Sequence, residues 1–201
     1  MSNALPKLFV RNIKTNKEEE LLFAEEKVWS PSISEMQKET NTDSIYINYS
    51  SPKTNGRSYV YNLRTKEKKF VKQQEVLDKN YSPKNYITER LECRSHDSRL
   101  IPLTITRHKD TKIDGTANVL LYGYGSYGSS LDVGFSSARL SLLNRNIIWV
   151  NASIRGGRER GEVWHEEGKM LNKKNTFEDY ISAAKFLIEK KYTYKGGIIG
   201  Y

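Results

Sequence analysis

The chain has 201 residues, room for one ordinary domain or one and a half small ones, and its 13 Tyr, 6 Phe and 3 Trp supply large buriable surfaces that exclude a disordered chain. The net charge of +9 does not by itself signal nucleic acid, because lysine is spread along the chain and interleaved with glutamate, as in Lys17-Glu18-Glu19-Glu20, with no nucleic-acid-binding motif. One cysteine, Cys93, excludes an internal disulfide and fits a cytoplasmic protein, while apolar runs of about four residues, such as Ile147 to Val150, exclude a membrane span.

The first ninety residues read as short strands. Leu8 to Ile13 and Glu19 to Val28 are candidates. Ser44 to Ser50 alternates Ile45, Ile47 and Tyr49 with Tyr46 and Asn48, the period of a strand. Asn55-Gly56 then predicts a turn, Ser58 to Leu63 a second strand, Arg64 to Glu67 another turn and Lys68 to Lys72 a third strand. Such a meander is the unit of a β-propeller blade, and one blade cannot bury both faces of its sheet. Residues 1–75 are therefore expected to be the terminal part of a propeller.

Gln73 to Pro83 has no period and reads as a linker. Tyr86 to Arg94 and Leu100 to Arg107 form a predicted hairpin around Ser95 to Ser98. Cys93 is a small strand filler, and His96 and His108 are strand-end residues without a nucleophile or orienting acid at a recognisable spacing.

From residue 117 the pattern becomes α/β. Asn118 to Tyr122 and Asn146 to Ala152 are continuous apolar runs of buried parallel strands. Ser136 to Asn144 reads as a helix. A second helix is predicted to be capped by Thr176 with Asp179, with Phe177, Tyr180, Ile181, Ala184, Leu187 and Ile188 on its buried face. Gly197 to Tyr201 starts another strand. This order is that of a right-handed parallel sheet. The fold class is α/β, with residues 76–201 expected to be an incomplete α/β-hydrolase catalytic domain.

Gly123, Gly125 and Gly128 match the dinucleotide pattern G-x-G-x-x-G after a strand. The context fails twice. Ser129 to Gly134 separates the third glycine from the helix, and the second strand ends Val150-Asn151-Ala152 without an acid for a ribose. The second reading is the oxyanion loop after the third strand of an α/β-hydrolase.

That reading meets a family. Leu121-Tyr122-Gly123-Tyr124-Gly125-Ser126-Tyr127-Gly128, then Ser153-Ile154-Arg155-Gly156-Gly157, Gly161 to His165 and Gly168 to Tyr180 together resemble the prolyl oligopeptidase family of serine peptidases. The Gly-Ser-Tyr-Gly form of the loop and the run Lys173-Lys174-Asn175-Thr176-Phe177 resemble its oligopeptidase B branch. The resemblance implies a propeller capping an α/β-hydrolase domain and hydrolysis of short peptides after Arg or Lys. It implies that Tyr124 donates into the oxyanion hole and that Tyr127 lines the primary specificity pocket. Arg155 and Trp164 are implied to be structural, and His165 is not the family's catalytic histidine. Arg158 stands where a small residue is usual. No cofactor or metal is expected, and no nucleic-acid or membrane partner.

No Gly-x-Ser-x-Gly occurs in the 201 residues, since Ser126 is preceded at the required spacing by Tyr124. The catalytic Ser, Asp and His are thus expected beyond Tyr201, and this chain alone is expected to be inactive. Two alternatives are a split peptidase completed by a second chain and a non-catalytic binding remnant.

Overall fold

A computed structural model describes residues 4–21, 26–33 and 41–201. Its described strands form three sheets. Strands β1 (Phe9–Arg11) and β2 (Glu18–Glu20) make a small antiparallel pair. Strands β3 (Ser30–Ile33), β4 (Ser44–Ser51), β5 (Thr54–Asn62) and β6 (Lys68–Gln73) follow in that order as an antiparallel meander.

The predicted alternation decides which face of this meander packs. Ile47 and Tyr49 are buried with Leu21, against Tyr59, Tyr61 and Trp29, and Ile47 lies opposite Tyr59 in the register. Three features differ from the sequence reading. The first turn falls at Pro52-Lys53, and Asn55-Gly56 lies inside β5. Asn55 spends its amide on the carbonyls of Gln74 and Glu75, at 2.9 and 3.1 Å, so it anchors the chain leaving β6 instead of turning it. Strand β3 is a fourth strand that alternation did not reveal, because Ser30-Pro31-Ser32 is too polar to show a period. Of the expected strand Glu19 to Val28, only its start is in β2, Glu26 to Val28 bends, and 22–25 lie outside the described residues. Phe70 and Val71 of β6 are exposed, so the edge of this sheet is uncovered.

The remaining strands are β7 (Tyr86–Arg94), β8 (Leu100–His108), β9 (Val119–Tyr122), β10 (Ile148–Ala152) and β11 (Ile198–Gly200), in the spatial order β11-β9-β10-β8-β7. The β7–β8 hairpin pairs from Tyr86↔His108 to Arg94↔Leu100. Strand β8 is antiparallel to β10, whereas β9, β10 and β11 are mutually parallel. Helices α1 (Ser137–Leu143), α2 (Glu162–Glu166) and α3 (Lys174–Glu189) lie in the connections. Ile101, Leu103, Ile105, Val119, Leu121, Ile148 and Val150 are buried under Ala183 and Leu187 of α3. On the other face, Leu140 and Leu143 of α1 pack with Tyr86 and Trp149. Helices on both faces explain why β9 and β10 read as apolar runs without alternation.

Helix α3 corrects two expectations. It begins at Lys174, and Thr176 does not cap it, because its hydroxyl donates to the carbonyl oxygens of Arg155 and Gly168 at 2.8 and 3.1 Å. Its buried positions are Thr176, Asp179, Ala183 and Leu187, while Phe177 and Ile181 are exposed. The apolar stripe predicted by helical period is therefore rotated, since a buried ion pair described below claims the face that carries Asp179. Leu187→Ala is expected to destabilise the chain by about 2–5 kcal/mol, and Ile181→Ala by less than about 0.5 kcal/mol, as read by urea denaturation. Equal losses at the two positions would restore the sequence-based face.

Candidate functional site

The connection β9→β10 leaves on one side of β9, and β10→β11 returns past it to the other side. In parallel sheets the crevice outside the carboxyl end of such a strand is where ligands bind. Residues Gly123 to Gly128 occupy that end of β9. The Gly123 N–H donates to the Tyr201 carbonyl at 3.2 Å, so the end of β11 lies beside the start of the loop.

Three segments hold the loop from below. Gly128 N–H donates to Gly156 O at 2.9 Å. The ammonium of Lys173 donates to Gly125 O at 2.7 Å and to Ser126 Oγ at 2.8 Å. Tyr180 of α3 donates its hydroxyl to Leu121 O at 2.7 Å, just before the loop. Gly125 has a φ of +58°, and a side chain there would start 2.5 Å from Thr176 Cγ2 and 2.8 Å from Arg155 O. Only glycine meets both demands.

The loop presents two aromatic side chains. Tyr124 is 44% exposed and Tyr127 is 87% exposed, the latter at a φ of +54° that is costly for a residue with a side chain. The turn geometry thus spends backbone strain on holding Tyr127 in solvent.

Beneath the loop sits a buried ion pair. Arg155 and Asp179 are 1% and 0% exposed. Arg155 Nε donates to Asp179 Oδ2 at 2.9 Å, Nη2 donates to Oδ1 at 2.6 Å, and the Arg155 backbone N–H donates to Oδ2 at 3.0 Å. Ser95 in the β7–β8 turn donates to Asp179 Oδ1 at 2.6 Å, and Arg155 Nη1 reaches Asp97 of the same turn at 2.5 Å. Burial works against the guanidinium, but its bonds to Asp179 and Asp97 outweigh that and raise its pKa further. Arg155 is structural, as its motif implied. So is Trp164, which is buried and donates to Ser153 O at 3.1 Å.

The histidines take supporting places. His165 Nδ1 lies 2.9 Å from Gly156 O and therefore carries the proton, bracing the carbonyl that receives Gly128. His96 meets Ser95, and His108 packs edge-on against Tyr86. The Cys93 thiol is buried, which pushes its pKa up to about 12 and leaves it inert at neutral pH. Arg158 is accommodated: it is not in the left-handed region, and it bonds Glu162 at 2.9 Å. Glu159, its pKa raised by burial, accepts the Leu131 N–H at 3.1 Å and ties down the run after the loop. Among the described residues, no three His, Cys, Asp or Glu side chains gather as a metal site, and no helix is long and apolar enough to cross a membrane. The nucleotide reading fails in space as it did in sequence. Helix α1 opens nine residues after Gly128, and Asn151 at the end of β10 is engaged by Trp149 Nε1 at 2.6 Å.

Sequence reasoning singled out Tyr124, Tyr127 and Arg155, and the fold places all three in or beneath one loop. It missed Lys173 and Tyr180 as loop supports. No sequence signal marked Lys173, which stands just before α3 in a pair of lysines. Two clefts, of about 650 and 990 Å³, lie away from the loop, where the meander meets Phe135 and, for the larger one, Asp132.

A four-stranded meander beside an α/β sheet with a glycine loop at the end of β9 resembles the fold of hydrolases that carry a propeller. The family model of the prolyl oligopeptidase family matches residues 133–201. Over 195 residues the chain is 38% identical to a dipeptidyl aminopeptidase BI of Pseudoxanthomonas mexicana, covering 96% of this chain and 26% of that protein. It is 39% identical over 153 residues to protease 2 of Moraxella lacunata, covering 76% of this chain and 22% of that one. Oligopeptidase B from Leishmania major superposes with a TM-score of 0.88 at 31% identity, over 98% of this chain and 28% of that one. Oligopeptidase B from Trypanosoma brucei, with covalently bound antipain, superposes with a TM-score of 0.91 at 27% identity, over 100% and 29%. The chain belongs to the prolyl oligopeptidase family. It spans about a quarter of the length of the relatives it matches.

The ion network makes stability depend on pH. Burial raises the Asp97 carboxyl, but hydrogen bonds from Arg155 and from the Arg99 N–H, with the Arg155 charge, outweigh it and hold its pKa below the ordinary 3.8. A group so lowered adds stability above its unfolded value and loses it as pH falls through the folded value. Urea stability is expected to fall below about pH 4, and Asp97→Asn to shrink that fall. Identical pH slopes for the two proteins would remove Asp97 from the network.

Proposed function

We propose that the chain is the oxyanion side of a serine oligopeptidase: the last strands of a propeller, residues 1–75, leading into the first part of its catalytic domain, residues 76–201. In such an enzyme a serine attacks the peptide carbonyl, and negative charge develops on its oxygen only in the transition state. Donors already aimed at that oxygen lower the barrier because they need no reorganisation. The phenol of Tyr124 is the donor proposed here, and Tyr127 is proposed as a wall of the pocket for the residue before the cleaved bond. Short peptides cleaved after Arg or Lys are the proposed substrates, and the cytoplasm the proposed compartment.

The observation that carries the reading is the pairing of β11 with β9. Gly200 lies level with Leu121, and Tyr201 O accepts from Gly123 N–H. A nucleophile turn following β11 would emerge next to the loop that bears Tyr124. Residues 1–201 contain no Gly-x-Ser-x-Gly; in this reading the serine, aspartate and histidine would be supplied by further sequence, in the same polypeptide or in a second one.

The test uses fluorogenic peptides ending in Arg or Lys. The 201-residue polypeptide is expected to release no fluorophore, and a polypeptide that continues through a nucleophile turn to do so. In the active form, Tyr124→Phe is expected to lower kcat roughly 10²–10³-fold. Full activity in that variant would dismiss Tyr124 as the donor, and turnover by residues 1–201 alone would dismiss the division of the site.

A further inference from the structure

Lys173 is a cation without a carboxylate. Among the described residues it forms no ion pair, although the surrounding sequence is rich in acids. Its ammonium ends instead on two loop oxygens, Gly125 O at 2.7 Å and Ser126 Oγ at 2.8 Å. It also lies 5.8 Å from the centre of the Phe177 ring. Its neighbour Lys174 is exposed.

Such an arrangement has a definite consequence for the loop. The peptide unit between Gly125 and Ser126 is planar, so fixing its carbonyl fixes the whole plane and the directions in which the chain leaves it. Tyr124 precedes that plane and Tyr127 follows it. The two flanking glycines, Gly123 and Gly125, have no side chains of their own with which to anchor this stretch. A charged donor is suited to the task, because a bond from an ammonium to a carbonyl is stronger than one between neutral groups. The bond to the Ser126 hydroxyl adds a second anchor one residue on. The other supports, Tyr180 on Leu121 O and Gly128 on Gly156 O, hold only the two ends of the loop.

We propose that Lys173 is a positioning residue for this loop: by bonding the Gly125 carbonyl and the Ser126 hydroxyl, it sets the direction in which the Tyr124 hydroxyl is presented to the reacting carbonyl of a bound peptide. This rests on the reading of Tyr124 as the oxyanion donor. Lys173 itself touches neither substrate nor reacting atoms. Its effect passes through Tyr124, and it is felt in kcat and not in ground-state binding.

Two measurements test it. Hydrogen exchange in the 201-residue chain compares Lys173→Met, which keeps the stem and loses the donor, with Lys173→Arg and the control Lys174→Met. Lys173→Met is expected to speed exchange within residues 123–129 while β8 and β9 keep their protection. Lys173→Arg is expected to restore it at least in part, and Lys174→Met to leave it unchanged. Unaltered exchange in 123–129, or loss of protection across β8 as well in both Lys173 variants, overturns the assignment.

In the active, longer or reconstituted enzyme, Lys173→Met is expected to lower kcat roughly tenfold or more, within the loss caused by removing a donor, with KM within about twofold. The double variant with Tyr124→Phe is expected to be no slower than Tyr124→Phe alone, since groups acting as one unit are not additive. If the two losses multiply, or if Tyr124→Phe is slow while Lys173→Met is not, the inference on Lys173 falls and the donor reading stands. If Tyr124→Phe is as fast as the parent, the donor reading itself falls and takes this inference with it.

Discussion

A guanidinium and a carboxylate that water does not reach, Arg155 and Asp179, meet where the β7–β8 turn, the segment after β10 and helix α3 converge. Two buried charges cost more than their attraction returns unless every remaining hydrogen-bonding position is filled. Here the filling is nearly complete. Asp179 receives the Arg155 fork, the Arg155 N–H and the Ser95 hydroxyl, and the other side of the guanidinium faces Asp97. Removing either partner would strand a charge, at about 3–5 kcal/mol. The pair therefore acts as a registration point: the three elements must arrive in one relative position to satisfy it. That demand also explains why α3 turns Asp179 inward and leaves Phe177 in solvent.

From this point the constraint spreads through backbone contacts too close for side chains. A side chain on Gly156 would start 2.0 Å from Gly125 O, and one on Gly168 would start 2.1 Å from Gly156 N. Three glycine-bearing segments are thus stacked on one another directly above the ion pair. Thr176 closes the stack by donating to both Arg155 O and Gly168 O. Of the glycines that resemble a phosphate-binding pattern, Gly125 lets backbone approach backbone, while Gly123 and Gly128 make room for the side chains of Tyr180 and Arg158. The glycine loop inherits its position from this stack, and Tyr124 and Tyr127 inherit theirs from the loop.

The meander is joined to the α/β part by smaller polar contacts. Ser30 Oγ donates to Asp132 at 3.0 Å, and Tyr81 donates to Lys53 O at 2.8 Å while its ring meets Phe135 edge-on. Two open clefts lie along the same junction. Phe70 and Val71 leave the β6 edge of the meander open to solvent.

Local chemistry was legible wherever it repeats. The alternation of Ile45, Ile47 and Tyr49, the apolar runs of β9 and β10, and the glycine-tyrosine loop all followed from residue order, because burial on one face or two leaves a period or a run. Tyr124, Tyr127 and Arg155 were singled out through motif. What residue order alone did not show was which partner wins when two compete. Asn55-Gly56 makes a good turn in isolation, but Asn55 is better satisfied by the Gln74 and Glu75 carbonyls. Thr176 and Asp179 have the spacing of a cap, but Arg155, twenty-four residues from Asp179, claims the carboxylate, and carbonyls in two other segments claim the hydroxyl. Lys173 reads as one more surface lysine until the fold brings two loop oxygens to it. The sequence by itself determined the family, most of the elements and the loop. Only the tertiary structure decided how the loop is held, because that depends on charges and carbonyls remote in sequence that compete for the same donors.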